Sequence, residues 1–286
     1  MDLNKKIDLH MHSIYSDGTK TPTELVKIAK GADLFCISLT DHDCIDGLSE
    51  LKNAAASNGI EIIEGVELSL KYKCTLHMLA YFPNGGISKM QPFFDKLKKE
   101  RSERNPKILD ALNRLGYNIS FDDVLAEAGD SHVIGRLHFA KALISRNYVK
   151  SINEAFDLLL GENKPAYFEK ENISPKDAIK YIRSLGGIPV LAHPVIMKIF
   201  PGEIEACISE LKSYGLMGIE AYYTENSETD TQILLNIANQ YGLLITGGSD
   251  FHGENKPGID MGIGRGDLIV PYTCVEKIKS LGNKII

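Results

Sequence analysis

The feature that most restricts the fold is a rhythm: short β-rich runs alternate with helical stretches, and run after run ends in a histidine or a carboxylate. "KIDLHMH" reads as a strand, and "TPTELVKIAKGA" as a helix with Thr21 as its cap and Pro22 in first position. "LFCISLTDH" follows as a buried strand, then the helical "GLSELKNAAASNG", then "IEIIEGVELSL" and "TLHMLAYF" as two further strands. This β-α-β-α-β order predicts a parallel sheet. From about residue 88 the texture changes to helical segments such as "ISKMQPFFDKLKKERSERNPKILDALNRLG" and "GRLHFAKALISRN", with hardly a strand between them. The βα rhythm resumes with "IPVLAHP", "MGIEAYY" and "LLITGGSDFH". A chain of 286 residues suits a (β/α) barrel built from residues 1–87 and 172–286, interrupted by a helical insertion, or cap, over 88–171.

The strand ends carry the chemistry. The first run ends in His10 and His12, the second in Asp41, His42 and Asp43, and the third in Glu67. The fourth holds His77, a later one ends in His193, and the last ends in Asp250 and His252. In a parallel α/β barrel all strand C-termini lie on one face, where active sites are built, so these residues are expected to converge. Residues i and i+2 of a strand share a face, so His10 with His12, and Asp250 with His252, each offer two ligands to one point. Adding Glu67, Asp17, His42, His77 and His193 brings the set to nine nitrogen and oxygen ligands without a thiolate. Such a set is too large for one ion and about right for two or three divalent ions of Zn²⁺, Mn²⁺ or Fe²⁺. Each piece alone has an ordinary explanation: "TDHD" can be a turn with an N-cap aspartate, and His77 a satisfied core histidine. Six strand ends choosing metal-ligand types together do not.

"DLHMHSIYSDG", "LTDHD", "GVELS", "LAHP" and "GSDFH", in this order, resemble the motifs of the PHP (polymerase and histidinol phosphatase) family across essentially the whole expected barrel. The resemblance implies a distorted (β/α)7 barrel, a trinuclear metal centre and phosphoesterase activity. It implies that His10, His12, Glu67 and Asp250 hold one ion, that Glu67, His77 and His193 hold a second, and that Asp17, His42 and His252 hold a third. Many members carry a third histidine where Asp17 stands here. That aspartate, with the helical insertion containing "IGRLHFAKALI", is similar to the branch of 3′,5′-nucleotide bisphosphate phosphatases and 5′-phosphate-dependent exoribonucleases.

Clustered divalent ions lower the pKa of a bound water from 15.7 toward about 7, supplying hydroxide for in-line attack on phosphorus. The expected activity is hydrolysis of the 3′-phosphate of nucleoside 3′,5′-bisphosphates, or of short 5′-phosphorylated oligonucleotides. The alternatives are a small-molecule phosphatase of the histidinol phosphate type and, from another class, a non-catalytic metal-binding module. The intact ligand set counts against the last. Asp250 is expected to be essential for hydrolysis, and His252, Asp41 or a metal-bound water to protonate the leaving oxygen. Substrate contacts are expected from the insertion: Arg136 and His138 near a helix start, as a phosphate cradle, with Arg101 and Arg104 three apart on one helix face. Tyr222, Tyr223 and Asn226 can contact a base, or can simply end a strand before a helix capped at Ser227 or Thr229. His132, outside the strand-end pattern, reads as a surface histidine.

A net charge of −6 opposes binding of duplex nucleic acid through a global positive field, so the expected partner is a small phosphorylated molecule. The N-terminus shows no apolar core of signal-peptide length, and no run of about 18 apolar residues occurs, so the cytoplasm is the expected compartment. Five scattered cysteines (Cys36, Cys44, Cys74, Cys207, Cys274) read as reduced packing residues.

Overall fold

Alternation within "KIDLHM" sets the first strand. In β1 (Lys6–Met11), Ile7 and Leu9 face an apolar cluster while Asp8 and His10 take the opposite face, as the two-residue period of a strand dictates. The computed structural model describes residues 5–74, 76–128, 134–168, 173–197 and 201–284; His132 lies outside the described residues. The chain divides into two units, Met1–Gln91 with Asn172–Ile286, and Pro92–Glu171.

After β1 the first unit continues with α1 (Pro22–Gly31), β2 (Leu34–Leu39), α2 (Leu48–Asn58), β3 (Glu61–Ile62), β4 (Glu64–Leu70) and β5 (Leu76–Phe82). The second unit is built from α3 (Gln91–Arg114), α4 (Phe121–Ala128), α5 (Arg136–Ser145) and α6 (Ile152–Ala155). The first resumes with α7 (Pro175–Ser184), β6 (Ile188–Leu191), α8 (Ile204–Tyr214), β7 (Gly218–Tyr223), α9 (Glu228–Tyr241), β8 (Leu244–Gly248) and α10 (Thr273–Gly282). The start of α1 follows its expected chemistry: Thr21 accepts the Glu24 N–H, the Glu24 carboxylate accepts the Thr21 N–H, and Pro22 opens the helix. Ser227 caps α9.

The strands form two sheets, β1-β2-β3 and β4-β5-β6-β7-β8. Most pairs are parallel, but β5 runs antiparallel to both β4 and β6, which corrects the expectation of an all-parallel barrel. The reason is connection length: residues 71–75 alone link β4 to β5, and a parallel crossover needs a dozen residues or more. "IEIIEGVELSL" is likewise two strands. Its first half pairs with β2, the ladder breaks at Ile63, and its second half begins the other sheet. Among the described residues no continuous closed ladder is formed. Isolated bridges nevertheless link the sheets where the site lies, His42 to Glu67 and Met11 to Phe251.

Ile7, Leu9, Leu79, Tyr81, Ile188 and Val190 form a core with Val275 and Ile278 of α10. Each large apolar side chain fully buried there contributes about 1.5–3 kcal/mol. The second unit has its own core around Ile108, Leu112, Phe139, Leu143 and Leu160. The five cysteines are free, and all but Cys74 are buried. Among the described residues no helix is long and apolar enough to cross a membrane.

Gly248 ends β8 where that strand meets β1, and a Cβ there would run into the backbone nitrogen and Cβ of His10. Gly248→Ala is expected to lower the urea unfolding free energy by about 1–3 kcal/mol. It should also weaken divalent-metal uptake, because His10 is the residue displaced.

Candidate metal centre

Glu67 is the fourth residue of β4, not its end, and its carboxylate is fully buried. The strand extends past it because residues 68–70 pair with β5. Five imidazoles surround this carboxylate. Oε1 lies 3.1 Å from His77 Nδ1 and 3.0 Å from His193 Nε2. Oε2 lies 3.2 Å from each of His10 Nε2, His12 Nε2 and His42 Nδ1. His77 arrives from the second position of the reversed strand β5, where its partner across the ladder is Ser69, two residues from Glu67. An antiparallel strand presents its beginning at the edge where the parallel strands present their ends.

The remaining ligands come from connections after strands. Asp250 follows β8; its Oδ1 is 3.2 Å from His12 Nε2 and 3.5 Å from His10 Nε2. Asp17 lies in the turn after β1, 3.2 Å from His252 Nε2, 3.5 Å from His12 Nδ1 and 3.8 Å from His42 Nε2. His252 Nδ1 bonds the Asp250 backbone carbonyl at 2.8 Å, which aims the other ring nitrogen at Asp17. Asp43, His193 and Asp250 all have positive φ (50°, 28° and 56°). Such strain at non-glycine residues clusters where a site demands a particular side-chain direction.

All nine residues thus gather within the first unit, in four overlapping groups: His12–Asp17–His42–His252, His10–His12–Glu67, His10–His193–Asp250 and His42–Glu67–His77. The chemistry of the set fits divalent ions. Among the described residues, His10 Nε2, His12 Nε2, His42 Nδ1 and Glu67 Oε2 are buried without hydrogen-bond partners. Donors each about 2.0–2.2 Å from a shared ion stand roughly 3–3.5 Å apart, the range of the separations above.

Asp41 has a different place. It is buried, and its oxygens accept the Ser13 N–H and hydroxyl at 2.7 Å each and the Ser16 hydroxyl at 2.6 Å. It anchors the loop that carries Asp17. Tyr223 is buried with its hydroxyl 2.9 Å from Asp250 Oδ2, so it does not stack on a base. Tyr222 packs against the core, and Asn226 donates its amide to the Ala221 carbonyl at 2.9 Å, closing the turn after β7.

In the second unit, His138 Nδ1 accepts the Gly135 N–H at 3.1 Å and completes the start of α5. Arg136 donates to the Leu160 carbonyl at 2.9 Å and lies over the Phe156 and Tyr167 rings. Arg104 is only 9% exposed, and its Nε has no hydrogen-bond partner among the described residues. Burial, with Arg136 and Arg101 nearby, pushes its pKa down to about 10.

Three residues, Asp8, Glu220 and Lys256, escaped the sequence reading. Asp8 accepts the backbone N–H groups of His10, Ser249 and Gly262 and the Ser249 hydroxyl, and its position two before His10 was a usable signal. Glu220 sits in the apolar run "GIEAYY", fully buried and bonded to His10. Lys256 reaches Asp250 Oδ2, as Tyr223 does, and no pattern marks it.

Charge in this cluster is strongly perturbed. Burial opposes a proton on His10, but Glu220, Glu67 and Asp250 outweigh it and hold its pKa well above the ordinary value. Burial opposes the His12 proton too, and Asp250, Glu67 and Asp17 hold its pKa up at about 9. On His42 burial wins, and its pKa falls to about 3. Burial would raise Asp17, Glu67 and Asp250, yet the facing imidazoles keep all three well below the carboxylate range.

Imidazoles and carboxylates gathered at one strand edge of an α/β fold define a metalloenzyme site of hydrolytic type. The PHP domain model matches residues 8–181. The chain is 33% identical over 261 residues to the 3′,5′-nucleoside bisphosphate phosphatase of Chromobacterium violaceum, covering 90% of each. It is 32% identical over 251 residues to a 5′-3′ exoribonuclease of Haemophilus influenzae, covering 87% of this chain and 91% of that one. A solved structure from Bifidobacterium adolescentis, assigned as a metal-dependent phosphoesterase, matches with a TM-score of 0.79 at 29% identity over 96% of each chain. The chain belongs to the PHP domain family, and it is a metal-dependent phosphoesterase.

The raised histidines set a pH dependence. A His12 pKa of about 9, against 6.5 for the free side chain, stabilises the metal-free fold fully below pH 6.5, and that stabilisation is lost as pH rises to about 9. Ions must displace the same protons. Chelator-stripped protein is therefore expected to unfold at lower urea at pH 9 than at pH 6.5. Mn²⁺ uptake should strengthen over that window and release protons, measurable by calorimetry in two buffers of different ionisation enthalpy.

Proposed function

We propose that the chain removes the 3′-phosphate of nucleoside 3′,5′-bisphosphates or cuts short 5′-phosphorylated oligonucleotides, using two or three ions of Mn, Fe or Zn. The observation that carries this reading is the convergence of nine nitrogen and oxygen ligands around Glu67. The named activities of two relatives support the choice of a nucleotide. Asp17, where many PHP proteins have histidine, supports it further. Counting β3 and β4 as one interrupted strand, we read the two sheets as a distorted (β/α)7 barrel. A small phosphorylated substrate in the cytoplasm, with no duplex DNA as partner, fits the charge of −6.

When bound, divalent ions supply Lewis-acid neutralisation of phosphoryl oxygens and a hydroxide nucleophile at neutral pH. His10, His12, Glu67 and Asp250, with His77 and His193, would hold two of them, and Asp17, His42 and His252 a third. Tyr223 and Lys256 hold Asp250 Oδ2, which leaves Oδ1 directed at His10 and His12. Lys256 also places a positive charge beside the carboxylates, where an incoming phosphate gains from it. With only two ions bound, His252 would be left to hold a proton for the leaving oxygen; with its Nε2 on a third ion, that proton would come from Asp41, whose carboxyl burial pushes above the usual carboxylate range.

Within the second unit, Arg104 and Arg136 with Arg101 would bind a phosphate of the substrate. A buried guanidinium beside other guanidiniums is costly without an anion, and phosphate satisfies its planar fork. His138, engaged at the helix start, helps by fixing the backbone that carries Arg136.

The test is phosphate release by the Mn²⁺-loaded protein from adenosine 3′,5′-bisphosphate, AMP, histidinol phosphate and a 5′-phosphorylated tetranucleotide. Turnover of the bisphosphate or the tetranucleotide is expected, with Asp250→Asn inactive. Release from histidinol phosphate alone would overturn the substrate. Arg136→Ala should raise KM about 10- to 100-fold with kcat little changed, the loss of a charge-assisted hydrogen bond of roughly 1.5–3 kcal/mol.

A further inference from the structure

β7 contributes none of the nine ligands, yet it holds a fully buried carboxylate, Glu220, between the apolar Ile219 and Ala221. A carboxylate in a core strand is retained only where its partners offset the loss of water. Its partners here are two of the candidate metal ligands. Oε1 and Oε2 lie 2.9 and 3.2 Å from His10 Nδ1, and Oε2 also accepts the backbone N–H of His193 at 2.9 Å. His10 reaches it from 210 residues away and His193 from 27.

The two ends of the His10 ring therefore face different groups. Nδ1 is held by Glu220, while Nε2 points at Glu67 and Asp250 and lacks a hydrogen-bond partner among the described residues. His193 sits at φ 28°, ψ 61°, a conformation few non-glycine residues adopt, and the bond to Glu220 pins it there.

We propose that Glu220 is a positioning residue for the metal centre. It keeps the His10 proton on Nδ1 so that the Nε2 lone pair is presented to an ion, and it locks the backbone turn that delivers His193. One carboxylate thus orients ligands from β1 and from the end of β6. This rests on the reading of the nine-residue cluster as a divalent-metal site. Carboxylates bonded to the far nitrogen of a metal-bound histidine raise its basicity and fix its orientation, and losing one typically costs 10- to 100-fold in metal affinity.

The experiment uses the full-length chain, stripped with chelator, and two readouts. The first is Mn²⁺ affinity by calorimetry for wild type, Glu220→Gln and Glu220→Asp. The second is the ¹⁵N resonances of the His10 ring in the Zn²⁺-loaded wild type, assigned with a His10→Gln control. The expected result is a Glu220→Gln affinity weaker by about 10- to 100-fold for at least one ion, with partial recovery in Glu220→Asp. Substrate KM at saturating metal should stay unchanged while kcat falls. The wild-type His10 ring should show Nδ1 protonated and Nε2 at a metal-bound shift. Equal Mn²⁺ affinity in wild type and Glu220→Gln would overturn the inference and leave the metal site standing; so would a His10 ring bound through Nδ1. A wild type that takes up no Mn²⁺ or Zn²⁺ would remove the metal reading itself. If Glu220→Gln does not fold, the wild-type ring nitrogens still decide.

Discussion

One carboxylate, that of Glu67, stands within 3.0 to 3.2 Å of five imidazoles, and the first unit is arranged around that fact. A fully buried carboxylate costs several kcal/mol unless charge of opposite sign is delivered to it. Strand β1, the loop after β2, strand β5 and the loop after β6 each deliver an imidazole, and none of these segments is close to all the others in sequence. The pairing of strands is therefore also the assembly of the site. The same geometry that lets protonated His10 and His12 satisfy Glu67 lets cations replace their protons, because the ring nitrogens already sit at ligand spacing.

Around that centre lies a layer of groups that hold the ligands still. Asp8 clamps Ser249 and Gly262 beside β1, Asp41 clamps the Asp17 loop, and Tyr223 and Lys256 share Asp250 Oδ2. Three residues at strand exits, Asp43, His193 and Asp250, accept left-handed backbone conformations. The strain is tolerable because hydrogen bonds over-determine each turn. For His193 it is the Glu220 carboxylate, and for Asp250 it is the bond from its N–H to the His10 carbonyl at 2.8 Å.

Much of this was legible in the residues. Alternation placed His10 and His12 on one face, and the run of ligand types at strand exits located the site before any fold was known. What misled was direction. His77 looks like one more strand residue, and only the short connection from residue 71 to 75 shows that β5 must turn back. Glu67 looks terminal because its strand is continuous with the hairpin that follows. Asp17 lies in a turn with no strand periodicity, and only its ligand type and its closeness to the His10–His12 pair pointed to it. Glu220 was missed because a single glutamate in an apolar run is easily taken for an edge position, and nothing local shows that His10 lies opposite.

The reversed strand divides the centre by how its parts can come together. Glu67 and His77 belong to one hairpin and are 10 residues apart, so their encounter is local and fast. His10 and Asp250 are joined through the β1–β8 seam and lie 240 residues apart, one of the longest loop closures in the unit. On a growing chain, the hairpin can form while most of the polypeptide is still unmade, whereas the seam waits for the last strand to leave the ribosome. The site is therefore completed late in synthesis: a nascent chain not yet translated as far as Asp250 carries seven of the nine ligands and lacks the two that follow β8.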